Sequence, residues 1–264
     1  MDLKVDKAMK SRSFVLTLLL VTVFFTSGFS QNSWAESILI IGDSLTCGPF
    51  GAKLFQNLEQ DAQGKKNKVT LFCAVSSAPR NWLEGKKPAN QICQTKSTSS
   101  PELRPCPGKG AVPRLEKILE ENKVDHIIIG LGTNSLGSPK ADSSYSQMAK
   151  MVGEKSKRCE WIGPPHLNPP QAKGFKISNL TAMEKNLSPF YESLKEKVQS
   201  SCPLIDSRQA TVAGSGGEQT VDGVHRNRAS GEHWADAIKT NLTQSMKKSY
   251  SGQSGAKIDG PAVQ

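Results

Sequence analysis

The sequence predicts an α/β fold: a three-layer α/β/α sandwich built on a parallel, flavodoxin-like sheet of about five strands. Short apolar segments rich in β-branched residues recur along the chain and alternate with segments of helical periodicity. Strands that are apolar throughout are typical of a parallel sheet covered on both faces. The alternation of strands and helices indicates a doubly wound arrangement, and neither an internal repeat nor a second domain interrupts it.

Five segments are predicted as strands and four as helices. The strands are 37–42, 69–75, 126–131, 160–163 and 203–205. The helices are 52–59, 112–122, 183–198 and 229–246. In the third helix, Leu187, Phe190 and Leu194 follow at spacings of three and four, which places them on one face.

The first 35 residues have the composition of a secretory signal peptide. Four basic side chains precede an uncharged apolar run over 14–25, and Ser33 and Ala35 supply small residues at the −3 and −1 positions of a cleavage site. A helix of that run is about 18 Å long, too short for a bilayer core of roughly 30 Å. We therefore expect cleavage after Ala35, a secreted or periplasmic protein and no stable membrane span. An uncleaved anchor is the alternative.

The remainder is predicted to be one domain over 36–247, followed by a Ser/Gly-rich tail over 248–264 that we expect to be disordered. Residues 84–110 are rich in Pro, Lys and Ser and contain Cys93 and Cys106. A connection of this length in a compact domain is typically functional or held by a disulfide.

All six cysteines lie after residue 35, and an even count in an exported chain predicts disulfides. Spacing alone leaves 15 pairings open. The chain contains neither a CxxC nor an HExxH motif and has only four histidines, so no metal site is predicted. The net charge of +10 fits an anionic envelope polymer or simple solubility. Nucleic-acid binding is disfavoured because the lysines are scattered without interleaved aromatic residues.

A candidate nucleophile follows the first predicted strand, in the tetrapeptide GDSL at 42–45. A nucleophilic serine belongs at the carboxyl end of a parallel strand, where a sharp turn exposes its hydroxyl and the next helix begins. Ser44 occupies that place, and Gly42 leaves room for a tight turn. Taken alone, the same tetrapeptide is also typical of a purely structural turn.

Two further motifs supply the groups that a nucleophilic serine needs. The segment DGVH at 222–225 precedes the last predicted helix, so one loop can present both Asp222 and His225 as orienting carboxylate and base. The segment GLGTN at 130–134 ends the third predicted strand, where the Asn134 amide can donate to an oxyanion. Individually, these segments are also explained by a helix cap and by an Asx turn.

Together and in this order, the three motifs resemble the SGNH hydrolase superfamily, also called GDSL esterases. The resemblance covers essentially the whole chain after residue 35, and the Gly-x-Ser-x-Gly elbow of ordinary α/β-hydrolases is absent. It implies that Ser44 is the nucleophile, His225 the base and Asp222 the orienting carboxylate. It also implies an oxyanion hole formed by Asn134 and the Ser44 N–H, and a mechanism without a cofactor.

The sequence departs from this family after the second predicted strand, where an oxyanion-hole glycine is usual. This chain has CAVSSAP over 73–79, with no glycine. A backbone N–H does not require glycine, so Ser76 or Ser77 can donate; Ser77 is our preferred candidate.

The implied topology predicts the disulfides, because it makes the first and second strands neighbours, and likewise the fourth and fifth. The predicted pairs are Cys47 with Cys73, Cys93 with Cys106 and Cys159 with Cys202.

The substrate class expected from the family is an ester. We favour O-acetyl groups on peptidoglycan or another envelope polysaccharide, because of the export signal, the basic charge and the absence of an apolar lid helix. A lysophospholipase or thioesterase, and a non-catalytic glycan-binding relative, are the alternatives.

The segment 80–110 is expected to rim the site, and Trp82 within it forms either an aromatic wall or part of the loop core. His166 is predicted as an ordinary surface histidine, with substrate contact as the alternative.

Overall fold

The computed structural model describes residues 36–61, 64–108, 110–167, 179–211 and 219–253, with side chains described as far as residue 243. The strands are β1 Ser37–Gly42, β2 Lys68–Ala74, β3 Cys93–Ser97, β4 Ser100–Pro105, β5 His126–Gly130, β6 Arg158–Ile162 and β7 Leu204–Ile205. The helices are α1 Ser44–Cys47, α2 Pro49–Leu58, α3 Pro79–Glu84, α4 Leu115–Glu121, α5 Ser143–Lys155, α6 Leu180–Val198, α7 Ser207–Ala210 and α8 Arg228–Gln253. The predicted signal peptide lies outside the described residues.

A single seven-stranded sheet has the order β4-β3-β2-β1-β5-β6-β7. The five strands predicted from the apolar segments, β1, β2, β5, β6 and β7, pair in parallel. Their carboxyl ends therefore meet at one edge of the sheet. The predicted α/β fold with a flavodoxin-like strand order is confirmed.

The prediction of a long loop over 84–110 is wrong, because β3 and β4 form a hairpin there. β3 pairs antiparallel with β2, extending the sheet beyond its parallel part. The hairpin sequences CQTKS and SPELRP lack the apolar residues by which the other strands were recognised. Pro101 and Pro105 are tolerated because β4 is an edge strand.

The core consists of apolar side chains from the central strands, covered by helices on both faces. Ile40 on β1 and Ile128 on β5 are almost fully buried. One helical layer contains α2 and α8, where Phe50 and Trp234 stack with ring centroids 3.6 Å apart. The other contains α3, α4, α5 and α6, in which α5 contacts the other three helices.

Two helix predictions require correction. α5 was not predicted, because its polar sequence SSYSQMAKMVGEK has few strongly apolar residues; Tyr145, Met148 and Val152 nevertheless face the core. α8 continues to Gln253, so the tail does not lose helical structure at 248. Residues 254–264 lie outside the described part of the chain.

The disulfides pair as predicted: Cys47–Cys73, Cys93–Cys106 and Cys159–Cys202. The first ties the turn after β1 to β2. The second closes the base of the β3–β4 hairpin, and the third joins β6 to the segment before β7. In the described residues, no helix is both long and apolar enough to cross a membrane.

Candidate active site

Ser44 is the first residue of α1 and lies directly beyond the carboxyl end of β1. Asp43 caps this helix, since its Oδ1 accepts a hydrogen bond from the Leu45 N–H at 3.0 Å. The turn requires a glycine at position 42, where a Cβ atom would lie 1.9 Å from the Thr46 Oγ1. The structure therefore places the Ser44 hydroxyl at the edge of the sheet, as the sequence predicts.

Ser44, His225 and Asp222 form one chain of hydrogen bonds. The Ser44 Oγ lies 2.9 Å from His225 Nε2, and His225 Nδ1 lies 2.6 Å from Asp222 Oδ2. An imidazole held between a carboxylate and a hydroxyl can accept the hydroxyl proton when that oxygen attacks. The two loops that carry these motifs are thus brought together over a sequence separation of 181 residues.

The loop at 220–226 is shaped to present both of its functional side chains. Thr220 and Arg226 form an isolated antiparallel bridge, and the Val221 N–H donates to the His225 carbonyl at 2.7 Å. Gly223 has a φ of +100°, a conformation that other residues rarely adopt. The chain therefore reverses within this loop, which explains how Asp222 and His225 come to face each other.

Asp222 is held as a carboxylate. Burial acts to raise its pKa, but hydrogen bonds from the His225 ring and from the His225 and Val224 N–H groups outweigh burial, and the net effect lowers the pKa. The two backbone bonds to its Oδ1 measure 2.8 and 2.9 Å. The carboxylate is thus fixed in position and kept negative beside the imidazole.

Asn134 lies in a 3₁₀ turn after β5, at the same sheet edge as Ser44. Its Nδ2 donates to the Ser77 carbonyl at 3.0 Å and lies 3.4 Å from Asp43 Oδ2. Asn134 and Ser44 line one cavity, so the amide is placed where it can reach an oxygen bound near the serine.

Ser77 does not have the geometry expected of an oxyanion donor. It is fully buried, its N–H donates to the Ala74 carbonyl at 3.2 Å and its Oγ accepts from the Trp82 indole at 3.1 Å. Ser76 lines the cavity instead, with a φ of +62°. Its N–H has no acceptor among the described residues. The left-handed conformation at Ser76 explains why a glycine would be suited to this position.

A buried acid, Asp43, was not recognised from the sequence as part of this site. Its side chain is almost completely buried, and burial raises its pKa to about 7, against the opposing effects of the Leu45 N–H and the charge of His225. The only sequence signal was its place beside the serine. Asp43 connects that serine turn to Asn134 through the Oδ2 contact.

The cavity around Ser44 has a volume of about 400 Å³ and a lining that combines polar and apolar surface. Asn90 and Asn179 contribute amides to this lining, and neither residue belongs to a motif that predicts a site. Asn90 donates to the Ser76 Oγ at 2.8 Å, whereas the Asn179 side chain makes no capping bond at the start of α6. Both residues lie in connections between secondary-structure elements, far in sequence from Ser44, so the sequence does not indicate that they reach the cavity.

Trp82 and His166 do not line this cavity. Trp82 is completely buried beneath Ser77, so its role is in the core and not in an aromatic wall. His166 Nδ1 pairs with Glu184 Oε1 at 2.9 Å. Across the described ranges, no group of three His, Cys, Asp or Glu residues could hold a metal ion.

Comparison with solved structures identifies the fold, while no family model and no curated protein matches the sequence. An SGNH hydrolase from Slackia heliotrinireducens is 15% identical, with a TM-score of 0.50, covering 79% of this chain and 99% of that chain. The chain has the SGNH hydrolase fold. This confirms, for the fold, the resemblance drawn from the three motifs.

Two further solved structures are similar in fold to this chain. A catalytic mutant of an acetylxylan esterase from Geobacillus stearothermophilus is 12% identical, with a TM-score of 0.51, covering 79% of this chain and 94% of that chain. A DUF4886 family protein from Bacteroides uniformis is 15% identical, with a TM-score of 0.52 and coverages of 79% and 83%.

Proposed function

We propose that this protein is a serine esterase in which Ser44 is the nucleophile. The observation that carries this proposal is the hydrogen-bonded chain from Asp222 through His225 to the Ser44 hydroxyl. Ser44 attacks the ester carbonyl while His225 takes its proton. The alcohol then leaves with that proton, and water activated by His225 releases the acid from the acyl-enzyme.

The oxyanion is proposed to be bound by the Asn134 amide and by the N–H groups of Ser44 and Ser76. Ser76 replaces Ser77 in this role because Ser77 is buried with its N–H already bonded. Asn134 is held by the Ser77 carbonyl, which fixes the direction of its amide before substrate binds. Preorganised donors of this kind stabilise the transition state more than the ground state.

The proposed substrate is an ester of a short acyl group, such as acetate, on a carbohydrate. The cavity presents the amides of Asn90 and Asn179 together with the Ser76 hydroxyl, which suit sugar hydroxyl groups. Val75, Met183 and Val224 add apolar surface to the same cavity, which suits the methyl group of an acetyl ester. The acetylxylan esterase that shares the fold supports this class by analogy.

A secreted or periplasmic location is part of the proposal. The three disulfides support it, because such bonds persist in oxidising compartments. The envelope polysaccharide expected from the sequence, including acetylated peptidoglycan, is then the natural candidate polymer.

The proposal is tested with aryl esters of increasing acyl length and with acetylated oligosaccharides. Ser44→Ala is expected to lower kcat by at least about 10³-fold and to abolish labelling by a fluorophosphonate. Ser146→Ala, at a partly exposed serine on α5, is the matched control and should leave both unchanged.

The outcomes separate the alternatives. Turnover by the Ser44→Ala variant close to that of the wild type would refute the nucleophile assignment. Faster cleavage of long-chain than of acetyl esters would instead favour a lysophospholipase or thioesterase. A folded wild-type protein that neither labels nor hydrolyses any of these esters would favour a non-catalytic glycan-binding protein.

A further inference from the structure

A second concave surface lies on the sheet, at the end opposite to Ser44. We call it the hairpin groove; it has a volume of about 280 Å³ and is lined by Lys68, Thr70, Thr95, Ser100, Arg104 and Asn122, among others. Thr70 pairs with Ser97, which in turn pairs with Ser100, so three strands contribute at the same level. Thr70 precedes Ala74 by four residues of β2, or about 13 Å. The groove is therefore separate from the cavity at Ser44.

Three basic side chains line the hairpin groove: Lys96 lies over the Phe55 ring, whereas Lys68 and Arg104 lack acidic partners. Lys68 and Arg104 are exposed, and within the described part of the chain no carboxylate lies within 4.0 Å of either. On α4, which ends beside Asn122, Glu121 is paired with Lys117. Two cations with no partner at one groove favour a bound anion.

Ser100 supplies an independent sign of a ligand. Its Oγ is inaccessible to solvent and, among the described residues, has no hydrogen-bond partner. A ligand hydroxyl would provide the missing partner once the side chains that cover this oxygen move aside.

We propose that the hairpin groove binds a segment of an anionic polysaccharide, with Lys68 and Arg104 contacting its carboxylates. The hydroxyl groups of Thr70, Thr95 and Ser100 provide the donors and acceptors that sugar hydroxyls need. No aromatic side chain lines the groove among the described residues, so nucleic-acid bases have no surface on which to stack. The site does not depend on esterase chemistry, because it needs no reactive group.

The test uses the full chain and a fluorescent oligogalacturonate without ester groups, so that binding is measured without turnover. Uncharged dextran of matched length is the comparison ligand. The K68Q/R104Q variant is expected to weaken oligogalacturonate binding about three- to tenfold, from the loss of two exposed ion pairs. The K150Q/K239Q variant removes two exposed charges from α5 and α8 and should bind within about twofold of the wild type.

Ser100→Ala provides a second test, because this variant leaves the charge unchanged and should not affect binding if the groove attracts the ligand by charge alone. Removing the unpartnered hydroxyl is expected to raise the midpoint of thermal unfolding of the free protein and to weaken oligogalacturonate binding about threefold or more. Unchanged binding by this variant would contradict a role for Ser100.

Three results would overturn the hairpin-groove proposal. The first is no saturable oligogalacturonate binding at low ionic strength. The second is equal weakening in the two double variants, which would indicate diffuse attraction by the net charge. The third is tighter binding of single-stranded DNA through the same residues, which would make the groove a nucleic-acid site.

Discussion

The buried Asp43 predicts an unusual dependence of stability on pH. Its pKa is about 7 in the folded protein, compared with 3.8 for an ordinary aspartate. Between these values the folded state keeps a proton that the unfolded state has lost. Stability contributed by this group is therefore greatest below pH 4 and falls as the pH rises to 7.

The size of the effect follows from the difference in pKa. One unit corresponds to about 1.4 kcal/mol, so a shift of about three units corresponds to a loss of up to about 4 kcal/mol of unfolding free energy. Asp125, Asp206 and Asp222 have lowered pKa values and act in the opposite sense, because their contribution is lost as the pH falls through the folded pKa. A comparison that isolates Asp43 is therefore needed.

Asp43→Asn isolates it, since an asparagine can still accept the Leu45 hydrogen bond but does not ionise. Urea unfolding of wild type and variant is measured from pH 4 to pH 8.5, and the two free energies are subtracted at each pH. The variant should gain up to about 4 kcal/mol relative to wild type across this range. Ser146→Ala, which changes no ionisable group, is the control and should give the same difference at every pH. A flat difference for Asp43→Asn as well would refute the reasoning.

Further predictions concern the loop geometry and the covalent frame. Asp222→Asn should lower kcat by about 10³- to 10⁴-fold, measured with an aryl acetate, because the imidazole loses its orienting acceptor; retained turnover would contradict the proposed role. Gly42→Ala should cost about 1–3 kcal/mol in urea unfolding because of the clash with Thr46, whereas Gly137→Ala, with open space around it, should cost much less. Ser76→Gly should keep turnover of an aryl acetate, which needs the backbone N–H but not the hydroxyl, and should stabilise the fold by about 1 kcal/mol because it relieves a positive φ; a loss of stability would oppose this. Replacing both cysteines of the hairpin disulfide by alanine should cost about 3 kcal/mol, and an unchanged denaturation midpoint would argue against it.

The parallel part of the sheet was predictable because burial on both faces demands uninterrupted apolar sequence, as in SILIIG at 37–42. The β3–β4 hairpin was not, because its strands are polar and depend on hydrogen bonds to the free edge of β2. Such pairing is fixed by tertiary contact and leaves little trace in hydrophobic periodicity. Spacing alone left 15 disulfide pairings open, and the three observed pairs were predicted only with the topology that the family resemblance implies.

The candidate site likewise has a part that could be predicted from the sequence and a part that could not. Ser44, Asp222 and His225 carry recognisable chemistry in short motifs, and the structure brings them together as expected. Which of Ser76 and Ser77 can donate its N–H to the oxyanion depends on the backbone conformation at Ser76. Two identical neighbouring residues give no indication of that conformation in the sequence. Asn90 and Asn179 lie in loops whose approach to the cavity depends on the whole fold.

The two carboxylates around Ser44 have opposite environments, and this difference suits the proposed chemistry. Three hydrogen bonds keep Asp222 negative beside His225, where a positive imidazolium develops as the serine loses its proton. Asp43 is desolvated and lies against the Asn134 amide, where negative charge on a substrate oxygen would develop. A second negative charge there would oppose the oxyanion. Burial therefore favours the neutral acid on the side of the site where an anion has to form, while hydrogen bonding favours the carboxylate on the side where a cation forms.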